Sequence, residues 1–557
     1  MTGKIKIAGL YIILVLIAIT SKSQNKILPK EDMQIHLSEK CLFPGETLWL
    51  SVYVSNQKDL PGKQISNLAF VEFIDKSNTS LVRKKLILKE GVGHCSVSVP
   101  DTLSTGICAI MVYTNWMKNF GESSYSKSKV LVFNPNSDFT EDAVDTTYMI
   151  SGSDQSNTFE LGLSKSEYRT REKVVLNLDN ENLEFNSAHL SVSVRQKEPE
   201  QILNLTKQDF PVNPGNVQDI IYLPDYKGVL FSGRLVSKSG SASVADKEII
   251  MSFPGEFVDL KYAQTNEKGD FNFLLEPKVG EMDLVLQLPT DDYLVRLNDP
   301  FENGMNDARE TEIPSFGKKT ALYLKDRYIK SQLRNRFNQK NVIEAIVENE
   351  EEGADFFGEP YQTVKLRDYN QLDSLAEYFY ELIPTVHFSN RKGRQQLYLT
   401  NPETNFKLGD NPMVFVDGVF YPGLNELASL DHNLVSEISV VPKVYYYRDK
   451  TLDGIVSVKT RENNFNQVQQ LSNMVRLIYP VSNKMQSFKP IQNPEADRIP
   501  DLRTLLHWQD NISLDSINSK EITFYTSDSE GEFIISICGM TDKGEFINFE
   551  KTFVVSD

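Results

Sequence analysis

Asn411-Pro-Met-Val-Phe-Val-Asp-Gly-Val419 is the stretch on which the reading of this 557-residue chain turns. Asp417-Gly418 interrupts its apolar run, and this dipeptide is a strong signal for a two-residue hairpin because both central residues must adopt positive φ. Met413 to Val416 and Val419-Phe420 are therefore expected as the arms of a hairpin, which gives Asp417 a structural reason to be there. Working outward, Val435-Ser-Glu-Ile-Ser-Val-Val441 reads as a strand. Upstream, Asp373 or Ser374 can cap a helix, with Glu377 completing a Ser-x-x-Glu box. That helix, Leu375 to Leu382, stops before Pro384. Residues 355–463 are expected to form a small α+β unit.

These motifs resemble the plug domain of TonB-dependent outer-membrane transporters. The hairpin stretch, its answer Gly454-Ile-Val-Ser-Val-Lys-Thr460, and the 435–441 strand are similar to that family's pattern. Ile383-Pro-Thr-Val-His387 sits at the family's Leu-Pro-Gly-Val segment with Thr385 in place of glycine. Tyr445-Tyr-Tyr447 stands near the usual Tyr-Gly without its glycine. A barrel that needs a plug takes about 22 strands of roughly ten residues. Only 97 residues follow Thr460, so the expectation is a plug-like unit without a barrel of its own.

The remaining chain is punctuated strand after strand. Leu48 to Val54, Ala69 to Ile74, Cys95 to Val99 and Cys108 to Tyr113 alternate or run apolar, separated by turn signals such as Pro44-Gly45 and Pro61-Gly62. This pattern predicts an antiparallel sandwich over 24–140. Phe43-Pro-Gly-Glu-Thr-Leu-Trp49 and Tyr113-Thr-Asn-Trp-Met-Lys-Asn-Phe120 resemble macroglobulin-type domains of Gram-negative envelope proteins. Trp49 and Trp116 are read as core or edge anchors, with a partner hot spot as the alternative for Trp116. A second macroglobulin-like sandwich is expected at 145–200. Residues 225–300 resemble a carboxypeptidase regulatory-like sandwich, through Gly228-Val-Leu and Thr265-Asn-Glu-Lys-Gly-Asp-Phe271. Residues 317–352 read as a helix, with Leu322, Ile329, Leu333 and Phe337 at helical spacing, followed by the acidic linker Glu348 to Glu352. A C-terminal sandwich is expected over 470–557, where Arg498 to Trp508 and Phe524-Tyr-Thr-Ser-Asp528 resemble the closing domain of the same envelope family. The expected fold class is mainly β: tandem Ig/macroglobulin-like sandwiches plus one small α+β plug-like domain.

Lys4 and Lys6 precede the apolar run Ile7 to Ile19, and Ser21-Lys22-Ser23 suits cleavage before Gln24. Residues 1–23 are read as a signal peptide, with an uncleaved anchor as the alternative. No later run is long enough to span a membrane. The net charge of −17 points away from nucleic acid and from a general binder of anionic membranes. Cys41, Cys95, Cys108 and Cys538 read as buried thiols, or with a disulfide among the first three.

No reactive constellation emerges. The histidines at 36, 94, 189, 387, 432 and 507 lack metal-ligand spacing. Cys538-Gly-Met-Thr541 lacks the glutamine of a macroglobulin thioester, and there is no Gly-x-Ser-x-Gly elbow. Gly317-Lys-Lys-Thr320 has Glu312 where a phosphate loop needs its first glycine, and Gly91-Val-Gly93 joins two strands. Asp299 to Asp307 offers oxygen ligands for calcium but not the spacing of an EF-hand, so a solvated loop is preferred. The expectation is a non-enzymatic protein without catalytic, cofactor or metal residues. What the resemblance implies is an exported, cell-envelope accessory or scaffold protein, peripheral to the outer membrane. It would dock through the plug-like unit on an outer-membrane β-barrel protein or envelope complex. The alternative is a periplasmic or surface protein delivering peptide or glycan to a separate transporter.

Overall fold

The apolar strands of 24–140 close into a two-sheet sandwich, here sandwich I. A computed structural model of the chain describes residues 28–56, 64–142, 160–179, 186–207, 220–305, 314–337, 344–345, 353–410, 412–447, 450–483, 486–490, 499–515 and 519–557. The expected signal peptide, the acidic linker Glu348 to Glu352, Asp307 and Asn411 lie outside those residues. One sheet of sandwich I orders Glu31–Leu37, Thr47–Asn56 and Val92–Ser98. The other orders Cys41–Leu42, Ser126–Val132, Gly106–Thr114, Leu68–Ile74 and Ser80–Ile87. Leu50, Val52, Val71, Phe73, Ile110 and Val112 fill the space between them.

Two of these strands explain why the sequence there runs apolar rather than alternating. Every residue of Leu68–Ile74 is buried, as are Leu48 to Val54 within Thr47–Asn56. A strand covered on both faces has no solvent side to mark with polar residues. Ala69, Val71 and Phe73 face the core of sandwich I, while Leu68, Phe70 and Ile74 join a second cluster with Val229, Phe231 and Phe271. On the opposite sheet, Trp49 meets Phe488, Leu505 and Trp508, and Tyr53 meets Cys538 and Met540. Sandwich I is thus the middle layer between two others.

The first of these, sandwich II, corrects the sequence-based division. The stretches 145–200 and 470–557 were expected as separate sandwiches, but they build one. Ser187–Gln196 lies between Leu505–Asp515 and Gly531–Thr541, antiparallel to both, with Val192 opposite Gln509 on one side and Ile537 on the other. Phe546–Ser556 and Glu167–Arg169 complete that sheet, and Glu160–Leu163, Lys173–Asp179 and Lys520–Tyr525 form its partner. Alternation identifies a strand but not its neighbour, so pairing across some three hundred residues leaves no local trace.

Sandwich III has the same surprise at smaller scale. Val229–Ser237, Asp270–Leu275 and Tyr293–Leu297 make one sheet. Glu248–Ser252, Leu260–Gln264 and Glu281–Gln287 make the other, whose fourth strand is Met474–Pro480. Within 470–557, then, the first strand serves sandwich III and those from Leu505 onward serve sandwich II. The α+β unit falls inside sandwich III, which itself falls inside sandwich II, so the chain is a nest of insertions. The helix between them is shorter than expected: it runs Lys318–Arg336, and Glu344–Ala345 forms a short strand against Gln486–Ser487.

The closing of sandwich II is tightest at Gly539. A Cβ there would lie 2.4 Å from the His189 carbonyl oxygen and 2.4 Å from Leu190 Cδ2. The glycine of the Cys538-Gly539 pair is therefore a packing requirement. Gly539→Ala is expected to cost about 2 kcal/mol, in the range of overpacked cores. A lowered melting temperature checks this, and an unchanged one would contradict it.

Candidate functional site

The two stretches that define the α+β unit lie side by side. Met413–Val416 runs parallel to Lys450–Thr460, with Val414 opposite Val456 and Val416 opposite Val458. The sheet orders Gln362–Lys365, Val435–Tyr447, Lys450–Thr460, Met413–Val416 and Val419–Phe420. The expected hairpin is present: Asp417 and Gly418 both have positive φ, at 46° and 79°. The capped helix is present too, as Leu375–Leu382, with the Ser374 side chain accepting from the Glu377 amide. Glu377 answers by accepting from the Asp373 amide at 3.0 Å.

Asp417 does more than turn the chain. Its buried carboxylate accepts from the Thr460 amide at 2.7 Å and the Thr460 hydroxyl at 2.8 Å, clamping the two defining stretches together. Its carbonyl accepts from the Gly255 amide, and a Cβ on Gly418 would lie 2.5 Å from the Phe253 carbonyl. The turn is thus pressed into sandwich III. Met413, Phe415 and Ile455 pack with Ile250, Val258 and Leu260 behind it. One face of the unit is committed to the rest of the molecule. Elsewhere it exposes Tyr361, Tyr369, Tyr380, Phe406 and Tyr446, with Tyr380, Phe406 and Tyr446 at least 77% accessible.

A second constellation joins sandwiches I and II to the 318–336 helix. Arg327 Nη2 donates to Glu39 Oε1 at 2.5 Å, Ser331 Oγ donates to Glu46 Oε1 at 2.9 Å, and the Arg327 guanidinium lies over the Phe43 ring. Glu46 also accepts from the Phe43 amide, so the Phe43-Pro-Gly-Glu46 motif is the seat of this helix. Arg195 pairs with Glu198, which accepts from the Lys40 amide as well. Burial opposes the Arg327 charge, but Glu39 beside it holds the guanidinium protonated well above its usual range. Burial alone would raise Glu198, yet Arg195 and Arg327 hold it below its ordinary value.

Near the start of sandwich I, two buried carboxyls face the opposite balance. Glu31 accepts from Thr114 at 2.5 Å and Ser66 at 3.1 Å, and Asp225 accepts from the Asn67 amide at 2.9 Å. Burial lifts both to about 7, and the nearby Glu31 adds to the rise at Asp225. Asp225 belongs to a strap, Ile220 to Tyr226, that Asn115 and Asn119 hold by its backbone. These asparagines come from the Tyr113–Phe120 motif, and their role was not read from the sequence. Paired polar side chains in an end loop were the only available sign.

The other singled-out residues are dispersed. Trp116 is a core residue packed on Ile65 and Phe120, its indole donating to Pro29. All four cysteines are buried thiols outside any disulfide, and burial pushes those of Cys41, Cys95 and Cys538 up to about 12. Asp299 is engaged by Arg83, Asn303 and the Phe301 amide. Gly317 precedes the helix and donates to Gln201. His36 bonds Ser191, His189 meets Glu90, and His387 stacks on Tyr398. Among the described residues no helix is long and apolar enough to cross a membrane, and no three His, Cys, Asp or Glu side chains converge as metal ligands.

No family model matches this chain, and no curated protein matches it. Among solved structures, Escherichia coli alpha-2-macroglobulin activated by porcine elastase aligns with 95% of this chain and 44% of its own, at 11% identity and a TM-score of 0.24. Salmonella alpha-2-macroglobulin reacted with methylamine aligns with 96% of this chain and 40% of its own, at 9% identity and a TM-score of 0.24. The Yersinia pseudotuberculosis adhesin InvE aligns with 48% of this chain and 57% of its own, at 8% identity and a TM-score of 0.13. The chain thus spans less than half the length of these macroglobulins. Similarities this distant carry no functional assignment, and the mainly β architecture rests on the chain's own strand pairing.

Two outcomes test the buried charges. Arg327→Met leaves Glu39 buried without its counter-charge and is expected to cost about 3–5 kcal/mol, with Glu39→Gln in the same chain restoring part of it. Thermal melts of the single and double variants check this. For Glu31 and Asp225 the folded pKa lies above the unfolded one, so the folded state binds more protons between about 4.5 and 7. Their contribution is greatest below that window and is lost as pH rises through it, on the order of 3 kcal/mol each. His507, which burial holds down at about 4, works in the opposite direction over the same range, so the two carboxyls are read by difference: between pH 4.5 and 7.5 the wild type is expected to lose stability relative to the Glu31→Gln, Asp225→Asn variant.

Proposed function

We propose that this chain is a non-enzymatic accessory or scaffold protein of the cell envelope, exported by residues 1–23. In this reading it docks through its plug-like unit, 355–463, on an outer-membrane β-barrel protein or envelope complex, while the sandwiches form the rigid body behind it. The observation that carries the reading is the asymmetry of that unit. Its Asp417-Gly418 edge is spent on sandwich III, whereas Tyr361, Tyr369, Tyr380, Phe406 and Tyr446 remain exposed. Single exposed apolar residues are ordinary, but five large aromatics on one unit of about 100 residues match the chemistry enriched in protein interfaces. The resemblance of 225–300 to carboxypeptidase regulatory-like domains, and of 24–140 to macroglobulin-type domains, fits an envelope module without chemistry of its own.

A second reading, a binding protein for peptide or glycan, draws on a cleft of about 430 Å³ between sandwiches I and II, lined by Glu31, Gln64, Glu90, His189 and Lys543 among others. Affinity purification of the tagged full chain from detergent-solubilised outer membranes separates the two. Docking predicts a stoichiometric barrel partner that is lost in a Tyr380→Ser, Phe406→Ser, Tyr446→Ser variant whose melting temperature is unchanged. Recovery of the wild-type chain as a lone periplasmic monomer would refute docking and favour the second reading.

A further inference from the structure

The strap Ile220 to Tyr226 is fastened to sandwich I by its backbone. Asn119 Oδ1 accepts from the Ile221 and Tyr222 amides, both at 2.9 Å, and Asn119 Nδ2 donates to the Tyr222 carbonyl at 2.8 Å. Asn115 Nδ2 donates to the Leu223 carbonyl at 2.9 Å, and Asn67 Nδ2 to the Tyr226 carbonyl at 2.8 Å. Apolar burial adds little, because Ile221 and Leu223 are 76% and 60% exposed. The only buried residue of the strap is its aspartate, Asp225. The strap thus inserts its acid and leaves its apolar side chains outside, so a carboxyl group is its anchor.

That anchor sits beside a second buried carboxyl. Asp225 accepts from the Asn67 amide and Glu31 from the hydroxyl of the preceding residue, Ser66, so both groups rest on one short loop. Glu31 Oε1 is buried without a hydrogen-bond partner. The cations on the surrounding elements are turned to other groups. Lys30 lies over Phe120 and Lys227 over Tyr226, while Lys118 pairs with Glu302 and lies over Tyr113 and Tyr222. In the cleft that Glu31 lines, His189 pairs with Glu90, Asp542 accepts from Asn186, and Lys543 makes no ion pair with Glu31. Two neighbouring carboxylates that lose their hydration without gaining a cation cannot both stay ionised at little cost, so the closed arrangement calls for a proton. The rise of both groups to about 7, caused first by burial, agrees with this.

The two acids differ in freedom. Glu31 belongs to a strand paired with Thr47–Asn56 along its whole length, from Glu31 opposite Asn56 to Leu37 opposite Leu50. Asp225 belongs to a segment outside any strand, held only by the side-chain bonds above. When both ionise, Asp225 is the group that can move to water. We infer that Ile220 to Tyr226 is a proton-controlled latch on sandwich I, closed while Glu31 and Asp225 hold at least one proton between them and loosened when both carboxyls ionise. Opening frees Asn67, Asn115 and Asn119, three side chains that otherwise hold extended backbone. This goes beyond docking at the envelope and does not depend on it, because the latch and its proton lie within the chain.

The test is amide hydrogen exchange of the full chain from about pH 5 to about pH 7.5, corrected for the intrinsic pH dependence of exchange. The closed strap binds its proton more tightly than the open one, so opening rises as pH climbs from the ordinary carboxyl range to about 7 and levels off above it. The Ile221 and Tyr222 amides are expected to lose protection at least about tenfold over that range, while remaining less protected than the amides of Thr47–Asn56. Asp225→Asn keeps an oxygen for the Asn67 amide but no titrating proton, and is expected to make the protection of the strap independent of pH. Glu31→Gln removes the facing charge and is expected to shrink the loss, which keeps the test decisive should Asp225→Asn not fold. Constant wild-type protection across the range, or an undiminished loss in these variants, would overturn the inference. So would strap amides that exchange together with those of Thr47–Asn56 at every pH, since opening would then be unfolding of the whole layer.

Discussion

Sandwich I has no free sheet face, and the rest of the molecule follows from that constraint. Trp49 and Tyr53 on one sheet, and Leu68, Phe70 and Ile74 on the other, are buried against different neighbours. Fully burying a large apolar side chain is worth about 1.5–3 kcal/mol, so each face is a strong reason for a neighbouring sandwich to be present. Polar contacts then fix the docking geometry: Tyr53 donates to Ser191, Ser193 donates to the Ser38 carbonyl, and His36 bonds Ser191 while tilting against Trp508. The apolar surfaces supply the affinity between layers, and these bonds supply the register.

Local structure was largely legible in the sequence, and its long-range assembly was not. The Asp417-Gly418 turn, the Ser374 cap and the strands of sandwich I each depend on residues within a few positions of one another. The pairing of Ser187–Gln196 with two strands from the C-terminal stretch depends on residues more than three hundred positions away. The helix 318–336 shows a different limit. Its periodicity was plain, but Leu322, Ile329 and Leu333 face outward because the opposite side is held by Glu39 and Glu46 and by the packing of Ala321 and Leu324 on Phe43, Phe133 and Phe316. Hydrophobic spacing gives the phase of a helix, and only its partners decide which side is inside.

The α+β unit shows how a recognisable motif can be structural. Asp417 clamps Thr460 and presses its turn into sandwich III, which is a complete account of why aspartate and glycine stand there. What makes the unit a candidate for docking lies elsewhere, in scattered aromatics that no short motif announces. The Phe43-Pro-Gly-Glu46 entry is similar: its proline and glycine turn the chain, while its glutamate holds a helix some 285 residues away.

The nested order of the insertions has a consequence for how the chain is made and how it would come apart. Sandwich II lacks its central neighbours until residues 505–541 exist, and sandwich III lacks an edge strand until Pro480. The inserted residues therefore all precede the strands that close their hosts, and each host closes across the whole length of its insertion. Loop closure over such lengths costs little equilibrium stability, about 0.6 kcal/mol per doubling, but distant pairing is slow. The same threading works in reverse once the protein is folded. A single cut between the halves of either host sandwich would leave two fragments still laced together by shared sheets, so a nicked molecule would keep the shape and mass of an intact one.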